Sequence, residues 1–357
     1  MDSLSQILLG GAIAAACAPP RHRRAALLAG AALGTLPDLD AIPIALLTDD
    51  PVARMTWHRS ASHSLFVLPV VAWAIWAFFR KRGGRVAESP RRWWWAIFLA
   101  LVTHPLLDAF TVYGTQLLWP LPSRPVMWSS VFIIDPMYTL WLLLACIGAF
   151  FLRERVAAQR GLVTGLLLST AYLGWSLVAK SMVEREANRA LAAMGLNDAP
   201  RFSVPMPLNT LLWRVVAITP NGYVEGYRSL AADRGPMTFR GYPSNTQALA
   251  EAGNVPAVQR LAWFNHGFMH AQVVNRELVL SDLRMGSEPD YFFRFAVARQ
   301  GSPWHAIPPR QLTMSRDAAR MWGDTWQRIW NAPVGGPSQD QAATGSSGVT
   351  PAASASK

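Results

Sequence analysis

Long apolar runs with few charges fill the first half of the chain: residues 4–19, 25–47, 64–79, 93–110, 131–152 and 161–179. Several fall short of the roughly 20 residues a helix needs to cross a bilayer, so re-entrant or partly embedded helices are expected among them. After residue 180 the pattern changes. An amphipathic stretch over 181–195 precedes short runs rich in Val, Ile, Phe and Tyr, at 211–219, 271–280 and 291–298, punctuated by Gly, Pro and Asn as strands are. Residues 316–330 read as a short helix with Trp322, Trp326 and Trp330 on one face. The expected architecture is an α-helical polytopic membrane domain of about six apolar segments over 1–180, a small β-rich extramembrane α+β domain over 181–331, and a disordered Gly, Ser, Ala and Pro-rich tail over 332–357.

Composition agrees with residence in lipid: 51% of the 357 residues are hydrophobic and only 15% charged. The net charge of +11 does not point to nucleic acid, because the basic residues largely flank the apolar runs. Arg21, Arg23 and Arg24 form one cluster, Arg80, Lys81, Arg82, Arg85, Arg91 and Arg92 a second, and Arg153, Arg155 and Arg160 a third. Two crossings separate each cluster from the next, so one orientation places all three in the cytoplasm. Residues 38–63, 104–135 and everything after 180 then face the periplasm, as expected of a multi-pass inner-membrane protein. Met1-Asp2-Ser3 carries no basic residue, which favours an uncleaved first helix over a removed leader. Cys17 and Cys146 lie inside apolar runs and predict neither a disulfide nor a thiolate metal site. Gly30 with Gly34 and Gly161 with Gly165 have the spacing that lets helix backbones approach closely. Trp93, Trp94 and Trp95 read as an interfacial anchor.

The informative residues are ionisable groups at the outer ends of the apolar runs, where burial without a partner is expensive. Pro37-Asp38-Leu39-Asp40 interrupts the second run with two carboxylates, and Trp57-His58-Arg59-Ser60-Ala61-Ser62-His63-Ser64 leads into the third. Near the end of the fourth, His104 and Asp108 are four residues apart, which puts imidazole and carboxylate on one helix face. Asp135-Pro136 opens the fifth, where the aspartate also reads as a helix cap. The metal-ligand candidates are Asp38, Asp40, His58, His63, His104, Asp108 and Asp135. Imidazoles and carboxylates without thiolates suit a divalent ion, Zn²⁺ first, with Mn²⁺ or Fe²⁺ as alternatives. Arg59 can neutralise a phosphate, and Asp40, if not a ligand, can serve as general base. His266 and His270 share the four-residue spacing but lie where the pattern is strand or loop surface. No HExxH, GxSxG, P-loop or dinucleotide fingerprint is present.

These motifs resemble a known family, the bacterial membrane-bound metal-dependent hydrolases, linked to an SOS-regulated inner-membrane protein. The matching stretches are Leu36 to Asp40, His58 to Ser64, and His104 to Thr111 continuing through Tyr113-Gly114-Thr115-Gln116. Ser60-Ala61-Ser62 stands where related sequences often have a glycine and a threonine, a departure that leaves both histidines intact. The family is in turn similar to zinc-dependent phospholipases C. The resemblance therefore implies a membrane-bound hydrolase acting on a lipid-linked or phosphodiester substrate at the outer face of the inner membrane. The residues alone also allow an ion-binding transporter, or a non-catalytic scaffold with a partner-binding periplasmic domain.

Overall fold

The computed structural model describes residues 1–313 and 325–332. Helix α1 (Ser3–Cys17) is capped by Asp2, whose side chain accepts from the Ser5 backbone N–H, and runs through the middle of the helical half. Its run of Gly10, Gly11, Ala12, Ala14 and Ala15 is buried on all sides, so neighbours pack nearly onto its backbone. There follow α2 (Arg23–Thr35), a tight turn Pro37–Asp40, α3 (Ala41–Leu47), α4 (Pro51–Trp57), a second tight turn Ala61–His63, α5 (Val67–Lys81), α6 (Arg85–Glu88), α7 (Pro90–Ala109), α8 (Pro136–Leu152) and α9 (Val156–Ala193), of which α2, α7, α8 and α9 pack against α1. A Cβ added to Gly30 would lie 2.2 Å from the Gly10 carbonyl oxygen, and one on Gly34 would lie 2.3 Å from that of Gln6. The α1–α2 contact is thus backbone on backbone. Gly165 meets the Trp141 carbonyl of α8 in the same way, at 2.7 Å, whereas Gly161 faces open space.

About six apolar segments were expected, some of them short or re-entrant, and fewer of them make a long span. Among the described residues, Pro20–Leu47 and Val156–Ala193 are long and apolar enough to cross a membrane, and a third crossing arises only if Pro51–His63 and Val67–Lys81, bent by 56°, form one broken span. Fifteen residues of α1 measure about 22 Å, short of the roughly 30 Å of hydrocarbon. Their apolar character is used up against other helices. A run that is apolar all round is equally a core helix, and hydropathy alone does not separate the two. Trp93 is likewise core, 5% exposed with its indole N–H on His22 Nδ1 at 3.2 Å, while Trp95 remains exposed.

The three basic clusters meet at one end of the bundle. The Arg23 guanidinium donates to the carbonyl of Arg153 and to Gln159, Arg24 Nε donates to the Phe150 carbonyl, and Arg21 pairs with Glu88 beside α7. The opposite end collects the start of α1, the ends of α2 and α7, and the start of α8. There Asp2 N donates to the Ile133 carbonyl, and Gln6 Nε2 to that of His104.

Helix α9 continues past residue 180 without a break, and its outer half lays Ala179, Val183 and Ala187 against Trp213, Val215 and Met237. The strands there, β1 (Arg201–Pro205), β2 (Leu212–Thr219), β3 (Gly222–Ser229) and β4 (Phe239–Pro243), form an antiparallel meander in the order β1-β2-β3-β4. Helices α10 (Thr246–Glu251) and α11 (Pro256–Phe264) lead to β5 (Met269–Val274), β6 (Glu277–Asp282), β7 (Gly286–Ser287), β8 (Asp290–Tyr291), β9 (Arg294–Arg299) and β10 (His305–Gln311). The second sheet has the order β10-β9-β6-β5, and β7 pairs with β8. The run 271–280, read as one strand, is a hairpin. Its turn residues Asn275 and Arg276 both have positive φ, with no glycine to announce it. Residues 325–330 are helical, and the indoles of Trp326 and Trp330 meet at 5.9 Å. Trp322 and the tail from 333 lie outside the described residues.

The β-rich half braces the helical half at α4. Val52 and Met55 share a core with α11 and the second sheet. Arg260 Nε donates to Thr56 Oγ1 at 2.9 Å, and Tyr113 Oη to the Met55 carbonyl at 2.8 Å.

The two glycine pairs separate in a test. Gly30→Ala drives a methyl into the Gly10 carbonyl and is expected to cost about 1–3 kcal/mol, whereas Gly161→Ala, in open space, is neutral or gains up to about 1 kcal/mol of helix propensity. Thermal unfolding of both variants in detergent, followed by circular dichroism, checks the contrast.

Candidate metal centre

Three separate elements converge at the end of the bundle opposite the basic clusters. Pro37 has no N–H to donate and tightens the path of Leu36 to Ala41 into a turn of about three residues per revolution, while the backbone stays helical. On such a turn, positions i and i+2 point in different directions. Asp38 therefore faces inward and Asp40 faces the 58–62 loop. His63 closes the Ala61–His63 turn, and His104 and Asp108 lie one helical turn apart on α7, the spacing that aligns them on one face.

Four atoms meet: Asp38 Oδ1, His63 Nε2, His104 Nε2 and Asp108 Oδ2, all within 4.8 Å of one another. His63 Nε2 is 3.1 Å from His104 Nε2, 3.3 Å from Asp38 and 3.2 Å from Asp108; His104 Nε2 is 3.5 Å from Asp38 and 3.4 Å from Asp108. A cation about 2.0–2.1 Å from each of four tetrahedral ligands would hold those ligands about 3.3–3.4 Å apart, so five of the six edges match.

The hydrogen bonds behind these atoms fix which ring nitrogens face the cluster. His104 Nδ1 lies 2.7 Å from the Gly34 carbonyl, which only accepts, so Nδ1 carries a proton and Nε2 faces the cluster. Ser62 Oγ donates to Asp40 Oδ2 at 2.5 Å and so accepts from His63 Nδ1 at 2.9 Å, which turns His63 Nε2 to the cluster as well. Asp38 Oδ1 and Asp108 Oδ2 have no hydrogen-bond partner among the described atoms, although both are buried. Two imidazole Nε2 atoms and two carboxylate oxygens face one point. The donor set fits a divalent ion.

The other candidate residues have different placements. Asp40 stands outside the four-atom group and organises the loop, accepting from His58 Nδ1 at 2.7 Å, the Arg59 backbone N–H at 3.1 Å and Ser62 Oγ. His58 lies at the edge, with Nε2 3.9 Å from Asp38 Oδ1. The side chains of His58 and Asp38 are 24% and 25% exposed, whereas His63, His104 and Asp108 are sealed, so the cluster opens on the His58 side. Arg59 holds φ at 62°, a left-handed position that costs roughly 1–2 kcal/mol for a side-chain-bearing residue, and its carbonyl accepts from Gln116 N. Its guanidinium is buried, with Nε 3.2 Å from Asp108 Oδ2, Nη1 on Thr111 Oγ1 and the Tyr113 ring 5.0 Å away. The second Asp108 oxygen accepts from Gln6 Nε2 at 3.0 Å and from the Met1 amino group. Asp135 is also outside the group. It caps α8 through Met137 N and Tyr138 N and accepts from Tyr172 Oη at 2.9 Å. His266 Nε2 sits on the Pro125 carbonyl, and His270 is buried in β5 against the Tyr223 ring; burial holds both imidazoles below their ordinary pKa.

Sequence reasoning missed Ser62, Gln6 and the Gly34 carbonyl. Ser62 lies inside a motif that was singled out and carries a usable signal, a hydroxyl beside a candidate histidine. The Gly34 carbonyl becomes reachable only because α1, α2 and α7 pack so closely, which pattern alone does not reveal.

The helical half thus defines an apolar bundle with a buried two-histidine, two-aspartate cluster at one end. The chain belongs to the YdjM inner membrane protein family, whose model matches residues 1–183, and is a membrane protein. No curated protein and no solved structure matches it.

Two substitutions separate the roles of these residues. Ser62→Ala removes the acceptor that sets the His63 tautomer and is expected to weaken divalent-metal affinity about 10–100-fold with the fold intact. Asp135→Ala leaves metal affinity unchanged and costs about 1 kcal/mol of stability through the lost cap. Chelator competition and thermal unfolding on the same preparations read the two effects.

Proposed function

We propose that this chain is a metal-dependent hydrolase of the inner membrane that acts on a phosphodiester or lipid-linked substrate at the outer face. The observation that carries the reading is the convergence of two imidazole nitrogens and two carboxylate oxygens at 3.1–3.5 Å. Asp38, His63, His104 and Asp108 would hold the ion, with Zn²⁺ the first expectation and Mn²⁺ or Fe²⁺ compatible with the same donors. A divalent ion held there supplies Lewis acidity and a water acidic enough to ionise near neutral pH.

The remaining residues have roles that follow from their placement. His58, anchored through Nδ1–H on Asp40, turns Nε2 toward the open side and is placed to accept a proton, with Asp40 supporting the imidazolium that results. Asp40 thereby contributes to base catalysis through His58. Arg59 holds positive charge beside Asp108, where it offsets the carboxylate and favours an approaching phosphate. The exposed edge at His58 and Asp38 gives a substrate its approach.

The basic end of the bundle supports the orientation. Three arginine-rich clusters at one end favour a cytoplasmic position for that end, and on this reading the metal cluster and the β-rich half lie in the periplasm. Asn197→Cys in a Cys17→Ser, Cys146→Ser background is expected to react with a membrane-impermeant maleimide in cells whose outer membrane has been permeabilised. Labelling only after lysis reverses the orientation.

Elemental analysis tests the metal directly. Parent protein is expected to carry a stoichiometric divalent ion, and the His104→Ala, Asp108→Ala double variant to lose it. Hydrolysis of a chromogenic phosphodiester and of a phospholipid is expected to fall at least about a hundredfold in the double variant and on chelation, with recovery on adding metal back. Metal retained by the double variant places the ion elsewhere, and metal without hydrolysis of either substrate removes the enzymatic reading.

A further inference from the structure

A second concavity lies between the helical and β-rich halves, where the chain approaches α8. It has a volume of about 370 Å³, within the range of ligand pockets, and Phe132, Ile134, Val204, Met206 and Phe292 are among its walls. Two arginines also reach it, and both are already neutralised. Arg214 Nη2 is 2.6 Å from Glu225 and Nη1 donates to the Leu283 carbonyl, while Arg284 makes a two-pronged pair with Asp282 at 2.7 and 2.9 Å. An anionic metabolite would find no uncommitted positive charge among these groups. The walls otherwise offer mainly hydrocarbon surface.

The surroundings indicate where such a ligand comes from. Ile134 and Phe292 are 49% and 44% exposed. Ile134 immediately precedes the Asp135 cap of α8, and along α8 the exposed residues Met137, Leu140, Leu144, Ile147 and Phe151 recur every three or four positions. That spacing makes one continuous apolar stripe on a helix of the membrane half. The cavity therefore joins the end of a lipid-facing stripe. A chain leaving the bilayer along α8 meets apolar surface throughout, whereas a water-soluble ligand would have to cross that surface to enter.

We infer that this cavity holds one acyl chain of a membrane phospholipid. The inference rests on the cavity and the α8 stripe and stands apart from the hydrolase reading. Burying the chain here also removes exposed hydrocarbon from the seam between the two halves of the protein.

Photolabelling decides the matter. Full-length protein is reconstituted in vesicles of phosphatidylethanolamine and phosphatidylglycerol doped with a phosphatidylcholine that carries a diazirine at the tip of one acyl chain. After irradiation the labelled peptides are mapped. Label on residues 132–134, 204–207 and 285–292, in excess of that on Val70 and Trp73 of the exposed face of α5, is the expected result. Met206→Trp fills the cavity and should lower the cavity label at least about tenfold while leaving the α5 label and the metal content unchanged. Label confined to the exposed helix faces overturns the inference, as does cavity label that Met206→Trp leaves intact. If that variant does not purify as a single species, the cavity-to-α5 ratio in the parent decides alone.

Discussion

Two carboxylate oxygens and two imidazole nitrogens held at 3.1–3.5 Å away from water are costly to bring together unless positive charge, as protons or a cation, lies among them. The surroundings appear as a frame that keeps these atoms together. The Gly34 carbonyl and the Ser62 hydroxyl hold the rings in the orientation that turns Nε2 inward, Arg59 sets a positive charge against Asp108, and Asp40 ties the 58–62 loop to the turn that carries Asp38. A divalent ion at this point would be held by all four atoms, and the frame would then become a source of affinity.

That frame depends on how closely helices can approach. Because Gly10, Gly30 and Gly34 lack side chains, α1 and α2 touch along their backbones, and α7 can come near enough for His104 to reach a main-chain carbonyl of α2. Small residues in a membrane helix are usually credited with association energy. In this bundle they also determine a hydrogen bond and, through it, the orientation of a candidate ligand. Positive φ at Arg59 plays a comparable part on the loop side, where the Asp40 carboxylate and the Gln116 N–H secure the backbone on either side of the residue.

Much of the cluster was legible in the sequence because its parts follow local rules. His104 and Asp108 are one helical turn apart, Asp38 sits beside a proline in an apolar run, and His63 lies in a polar motif leading into another run. What sequence could not supply was the division of labour between residues of the same type. Asp38 and Asp40 are two positions apart and chemically alike, yet the tight turn sends one to the cluster and the other to the loop. The fold was legible at the level of a helical membrane half followed by strands. Which of the apolar segments cross the membrane was not legible, since a helix surrounded by protein and a helix surrounded by lipid have the same composition. The hairpin inside 271–280 escaped notice because Asn275 and Arg276 adopt a conformation usually advertised by glycine, and Gly161 shared a spacing with Gly165 without sharing its contact.

The contact between Arg260 and Thr56 spans 204 positions of the chain. All four candidate ligands have been synthesised by residue 108, long before α11 exists to brace the segment that carries His58 and His63. Ligand chemistry and ligand geometry are therefore completed at different times during synthesis. A nascent chain that has made only its membrane helices has the right donors on a loop held by Asp40 and Gln116 but not yet by α11, and that last brace comes only when the β-rich half has folded back onto α4.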